Sequence, residues 1–135
     1  MATKVLDSHA LLAFFQGEQS APGVKKLLLE AEAGRHRLLL SVVNWGEVYY
    51  NILRRTTREM AEQIAREIAA MPIELVPVET DLQLVRQAAL YKASGKLAYA
   101  DAFAAALAKL RNAELITGDH DFKAVEGDIK IGWLK

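Results

Sequence analysis

Five acidic residues stand at the edges of apolar segments, where carboxylates can do chemistry. Asp7 follows Lys4-Val5-Leu6. Asp119 and Asp121 follow Leu115-Ile116-Thr117-Gly118. Asp101 is the lone acid of Tyr99-Ala100-Asp101-Ala102-Phe103-Ala104-Ala105-Ala106-Leu107-Ala108. Glu47 shares a helical face with Asn44 and Asn51, at spacing i, i+3 and i+7. Each has an ordinary alternative. An Asp at the end of a strand caps the next helix or makes an Asx turn, and a polar stripe on a helix is commonly a solvated face. Asp101 fits that account least well, because a helix so apolar all round is buried on most sides. A carboxylate there needs a partner, which the partial positive charge of a helix N-terminus supplies in part and a bound cation supplies more fully. Four carboxylates brought together would raise one another's pKa. Mg²⁺ or Mn²⁺, which prefer oxygen ligands, would relieve that repulsion. The chain has no cysteine, so thiolate metal sites and thiol nucleophiles are excluded. Its three histidines form no spaced pair, although His9 and His120 follow candidate acids.

Those acids must be positioned by the elements around them. Lys4-Val5-Leu6 predicts a short strand ending at Asp7, and Ser8–Phe15 one or two helical turns closed by Gly17. Gly23–Ala33 reads as a helix with Val24, Leu27, Leu28 and Ala31 on one face. Arg37–Leu40 is a second strand, and Ser41 caps a helix through Leu53 that carries Glu47. Thr56 or Thr57 caps the next helix, with Met60, Ile64, Ala65 and Ile68 at helical spacing. Ile73–Val76 is a third strand and Asp81–Lys92 a helix. Tyr99–Leu110 is an Ala-rich helix and Leu115–Thr117 a fourth strand. Asp121–Val125 is a short helix and Ile129–Trp133 a final strand. Alternation of strands and helices argues an α/β fold, a mainly parallel sheet with helices on both faces. In such sheets ligand sites form beyond the carboxyl ends of the strands, where Asp7 and Asp119 fall.

At 135 residues the chain is sized for a single domain, residues 1–135. Seventeen basic and seventeen acidic residues give zero formal net charge, which excludes a polycationic coat or basic tail as the basis of function. No apolar run is long enough to span a membrane, and no signal peptide is expected, so a cytoplasmic location without membrane attachment is the expectation. Neither a G-x-G-x-x-G nor a G-x-x-x-x-G-K-[ST] motif is present, so dinucleotide and P-loop phosphate cradles are not supported.

Four pieces in order resemble the PIN-domain family, and within it the VapC-type toxin ribonucleases of type II toxin–antitoxin pairs. They are Val5-Leu6-Asp7-Ser8 followed by Ala10-Leu11-Leu12, Asn44-x-x-Glu47-Val48, Tyr99-Ala100-Asp101-Ala102-Phe103, and Leu115-Ile116-Thr117-Gly118-Asp119-x-Asp121-Phe122. The resemblance runs over essentially the whole chain. It implies a single PIN-like nuclease domain with a five-stranded sheet in the order 3-2-1-4-5. It implies a catalytic, metal-binding quartet of Asp7, Glu47, Asp101 and Asp119, with Asp121 an additional acid that varies among members. Thr117 matches a supporting Ser/Thr position, and Ser8 and Asn44 are expected to support the site as well. All four quartet members are present.

The activity so implied is a Mg²⁺- or Mn²⁺-dependent endoribonuclease that hydrolyses RNA phosphodiester bonds with a metal-activated water. The implied partners are an RNA substrate, a VapB-like antitoxin that covers the site, and a second copy in a homodimer. Arg54, Arg55 and Arg58, and Lys96 ahead of the Asp101 helix, are candidate RNA-phosphate contacts, with a solvated face as the alternative for each cluster. The rival to catalysis is a protein–protein interaction module or an inactive toxin homologue on the same fold. Phosphotransfer scaffolds fit less well. A haloacid-dehalogenase-like site needs an Asp where His9 stands, and a receiver domain needs an Asp after the third strand, where Val76-Pro77 stands. If Asp7, Glu47, Asp101, Asp119 and Asp121 all line one cleft, 12 acidic residues remain against 17 basic ones, a formal +5 over the rest of the chain.

Overall fold

The structure is a computed structural model describing residues 2–135. Five parallel strands form one sheet: β1 (Ala2–Leu6), β2 (His36–Ser41), β3 (Ile73–Val76), β4 (Glu114–Thr117) and β5 (Ile131–Trp133), in the order β3-β2-β1-β4-β5. Side chains alternate between faces with period two, and the central strands use both faces. Val5, Leu39 and Leu115 enter one apolar core, while Leu6, Leu38, Leu40 and Ile116 enter the other. Such strands read as continuous apolar runs, as expected for parallel strands covered on both sides.

Helices α1 (Ser8–Phe15), α2 (Ala21–Glu32), α3 (Val42–Arg55) and α4 (Arg58–Ala69) supply the residues packed on the Leu6 face. Helices α5 (Gln83–Ala93) and α6 (Tyr99–Leu110), with a 3₁₀ helix at His120–Val125, cover the Val5 face. Every residue of α6 from Ala102 to Ala108 is buried. Alanines at most of those positions let the helix lie close against β1, β2 and β4. That close approach brings the first turn of α6, with Asp101, to the carboxyl ends of the central strands.

The element ends differ from the sequence reading where local chemistry intervenes. The helix expected from Asp81 starts at Gln83. The Asp81 carboxylate accepts the Gln83 N–H at 3.1 Å, and Leu82 adopts a left-handed backbone with φ 65°. The last strand begins at Ile131 rather than Ile129, and Ile129 lies buried in the preceding turn. The short helix at Asp121–Val125 is a 3₁₀ helix that starts one residue earlier, capped by the Asp119 carboxylate through the Asp121 N–H.

Candidate active site

The order β3-β2-β1-β4-β5 makes β1 and β4 neighbours at the sheet centre, with successive crossovers leaving them in opposite directions. That is the topological switch point, where open α/β sheets bind ligands. The register pairs Leu6 with Ile116, so Asp7 and Thr117 leave the sheet side by side.

Asp7 is fully buried and does two jobs at once. Its Oδ1 accepts the Ala10 N–H at 2.8 Å, which caps α1. Its Oδ2 accepts the Thr117 hydroxyl at 2.5 Å. Thr117 Oγ1 in turn accepts the Asp119 N–H at 2.9 Å. One hydroxyl thus fixes the carboxylate at the end of β1 and the backbone that presents the carboxylate beyond β4. The capping alternative for Asp7 and Asp119 therefore holds, and the same residues stand at the switch point as well.

Glu47 lies in the second turn of α3, and its Oε1 accepts the Ser8 hydroxyl at 2.5 Å. That bond ties α3 to the start of α1 beside Asp7. Asn44 is fully buried, so the stripe of Asn44, Glu47 and Asn51 is not a solvated face. Asn44 Nδ2 donates to the Ala100 carbonyl at 3.0 Å, joining α3 to the first turn of α6 next to Asp101. Asn51 Nδ2 stays on its own helix, donating to the Glu47 carbonyl at 2.9 Å. Ser8, Asn44 and Thr117 thus act as the ties between the elements that bear the acids.

The electrostatics register the same convergence. Burial pushes the Asp7 carboxyl up to about 7, against the lowering effect of its bonds to Thr117 and Ala10, with Asp119 and Glu47 adding repulsion. Burial also pushes Asp101 up to about 7, and repulsion from Glu47, Asp119, Asp7 and Asp121 adds to it. No lysine or arginine forms an ion pair with these acids among the described residues. Two buried polar atoms at this end of the sheet, His9 Nδ1 and Asn44 Oδ1, also have no hydrogen-bond partner. An all-oxygen donor set under mutual repulsion, with no organic cation to balance it, suits a hard divalent cation. Among the described residues no three or more carboxylate or imidazole side chains stand close enough together to hold a metal ion as they are placed. Mg²⁺ does not require a complete protein cage in advance, because it keeps several waters and binds through few carboxylates together with a substrate phosphate.

The candidate cations fall in two places. Arg54, Arg55 and Arg58 are exposed at the end of α3 and the start of α4. Arg54 lies two turns beyond Glu47, about 10 Å along the helix, and Arg58 stands beside Tyr49. Lys96 is exposed on the α5–α6 loop and lines a cavity with His120, Asp121 and Lys123. Sequence marks His120 only as following a candidate acid and does not single out Lys123 or Trp133, because Trp133 stands in a separate segment that only the fold brings against His120.

The PIN-domain sequence profile matches residues 4–128, nearly the whole chain. The chain belongs to the PIN-domain family. The matched span takes in all five acids of this PIN domain. No curated protein sequence matches the chain. Its fold is similar to that of VapBC2 from Rickettsia felis bound to a promoter DNA fragment, with a TM-score of 0.73 at 16% identity over 98% of this chain and 99% of that one. It is also similar to VapBC-5 from Mycobacterium tuberculosis, with a TM-score of 0.65 at 24% identity, covering 100% of this chain and 99% of that one. A third likeness is to VapC20 from the same species, described as a sarcin–ricin loop cleaving toxin. Its TM-score is 0.69 at 19% identity, covering 92% of this chain and 95% of that one.

Proposed function

We propose that this PIN domain is a Mg²⁺- or Mn²⁺-dependent endoribonuclease, the toxin of a toxin–antitoxin pair. What supports the proposal is that Asp7, Glu47, Asp101 and Asp119, from four different elements, lie near enough at the switch point to repel one another, with no lysine or arginine paired to them among the described residues. Asp7, Asp101 and Asp119 would hold the metal, and Glu47 would complete a second position. When bound, the ion supplies Lewis acidity toward a phosphodiester and a nucleophilic water near neutral pH.

The chain's own residues do the rest. The Thr117 hydroxyl holds Asp7 in one orientation and keeps the Asp119 backbone in register with it. Ser8 aims Glu47 inward. Asn44 holds the start of α6, and so Asp101, against α3. Such ties keep ligand geometry fixed while the repelling acids wait for a cation. No side-chain nucleophile is required, and the products are a 5′-phosphate and a 3′-hydroxyl.

Likeness to the VapBC assemblies supports a small VapB-like antitoxin as the natural inhibitor. Tyr50, Leu53 and Met60 on α3 and α4 are large apolar residues left exposed, a surface suited to another chain, whether the antitoxin or a second copy in a homodimer. No described helix is long and apolar enough to cross a membrane, and the proposed site of action is the cytoplasm, where the RNA is.

The test is cleavage of RNA by the purified chain after chelation and again after Mg²⁺ or Mn²⁺ is restored, with the new ends mapped. Metal-restored cutting that leaves 5′-phosphates, and that is lost in a folded Asp7→Ala chain, is the expected result. Cutting that persists in that variant, or a native chain that never cuts, would overturn the proposal and favour an interaction module.

A further inference from the structure

Resting on the nuclease reading above, we propose that the groove between the α5–α6 loop and the 3₁₀ helix is a subsite for the single-stranded RNA flanking the scissile bond. In this subsite Lys96 and Lys123 take phosphates, and a base stacks on His120. The cavity is about 510 Å³ and is lined by Gly95, Lys96, His120, Asp121 and Lys123 among others. That volume is within the range of small-ligand sites. Asp121, the one of the five acids that lines it, stands two residues after Asp119, whose carboxylate accepts the Asp121 N–H at 2.9 Å, so the cavity adjoins the acidic end of β4.

The two walls are held by contacts that leave these side chains outward. Leu97 is buried, and the Lys92 ammonium donates to the Leu97 carbonyl at 3.0 Å. The loop is thereby pinned, and exposed Lys96 is turned to the groove. Phe122 and Val125 anchor the 3₁₀ helix in the core, leaving His120 and Lys123 exposed. Neither Lys96 nor Lys123 forms an ion pair among the described residues, whereas Lys4, Lys109 and Lys130 do.

His120 is backed by Trp133, with ring centroids 5.8 Å apart and planes 25° from parallel. The Trp133 indole N–H donates to Glu126 at 2.8 Å, which fixes the indole behind the imidazole. An exposed ring on a fixed aromatic support, sharing one cavity with Asp121 and with two lysines that form no ion pair among the described residues, has the parts of a single-strand subsite: a stacking platform along a positively charged track.

The test measures anisotropy of a fluorescein-labelled single-stranded oligoribonucleotide binding to an Asp7→Asn chain over a range of salt. The same background then carries Lys96→Gln with Lys123→Gln, or His120→Ala, or the charge-matched control Lys25→Gln with Lys26→Gln on α2. At about 0.7 salt-slope units per phosphate on a single strand, the groove pair lowers the slope by about 1.4 and the affinity at 0.1 M salt by about 25-fold. His120→Ala weakens binding about fivefold or more with the slope unchanged. Equal losses in the groove pair and the α2 pair overturn the subsite, since binding then follows net charge alone. Undiminished binding in the groove variants, while the native chain still cuts RNA, overturns the subsite and leaves the nuclease reading standing. A native chain that neither cuts nor binds RNA overturns both.

Discussion

Asp7→Asn is expected to make the metal-free protein more stable, although it removes a residue placed at the centre of the site. The Asp7 carboxyl sits near 7 in the folded chain against 3.8 for the free side chain, chiefly because it is fully buried. Between those two values the unfolded chain has released its proton while the folded chain keeps it. Folding stability therefore falls as pH rises from about 4 to about 7 and then levels. A shift of about three units corresponds to about 4 kcal/mol at 1.36 kcal/mol per unit, an upper bound for what neutralising the group can recover. Asparagine keeps an oxygen to accept the Ala10 N–H. Its amide must, however, reverse the bond now donated by Thr117, which offsets part of the gain. About 1–3 kcal/mol of added stability near pH 8 is the expected net effect, and little or none near pH 4. Urea denaturation of both chains at the two pH values, with chelator present, reads this directly. Added Mg²⁺ should reverse the order near pH 8 by stabilising the native chain alone. A variant less stable than the native chain near pH 8, or a gain identical at both pH values, would refute the reasoning that a desolvated, repelled carboxylate is held at this position.

Thr117→Val should cost about 1–3 kcal/mol in urea denaturation, because it strips the donor from a buried carboxylate and the acceptor from the Asp119 N–H together. Thr117→Ser should recover most of that and most of the RNA cleavage, whereas an intact Val variant would show that the hydroxyl ties nothing. Gly118→Ala brings a Cβ to 3.0 Å from His9 Cε1 and should cost about 1 kcal/mol, since the ring has to give way. In a His9→Ala background the same substitution should cost nothing measurable. A double-mutant cycle with no coupling would show that the close approach is not what requires glycine.

Much of the fold was legible in the residues because its signals are local. Continuous apolar strands, Ser41 and one of Thr56 and Thr57 as caps (Thr57 in the structure), and the alanines of Tyr99–Leu110 give the elements nearly to the residue. The ends that moved did so through short-range details of no fixed pattern, such as the bond from Asp81 to the Gln83 N–H and the left-handed Leu82. Strand order is a different matter. Pairing β1 with β4 joins residues about 110 positions apart, and the expected order rested on family resemblance. The acids were visible as isolated carboxylates among apolar neighbours. Their mode of support was visible only in part. Asn44 on a polar stripe looked equally like a solvated residue until α6, 56 positions later, closed over it. His120 and Trp133, in separate segments, became a pair only when β5 added to the sheet edge.

The central claim is that carboxylates from β1, α3, α6 and β4 act as one cation site. Calorimetric titration of Mn²⁺ into the native chain and into Asp7→Asn, Glu47→Gln, Asp101→Asn and Asp119→Asn tests it most directly. Saturable binding to the native chain, weakened roughly tenfold or more in every variant, is the predicted result. A native chain that binds no Mn²⁺, or Glu47→Gln and Asp101→Asn chains that bind it as tightly as the native one, would contradict the account.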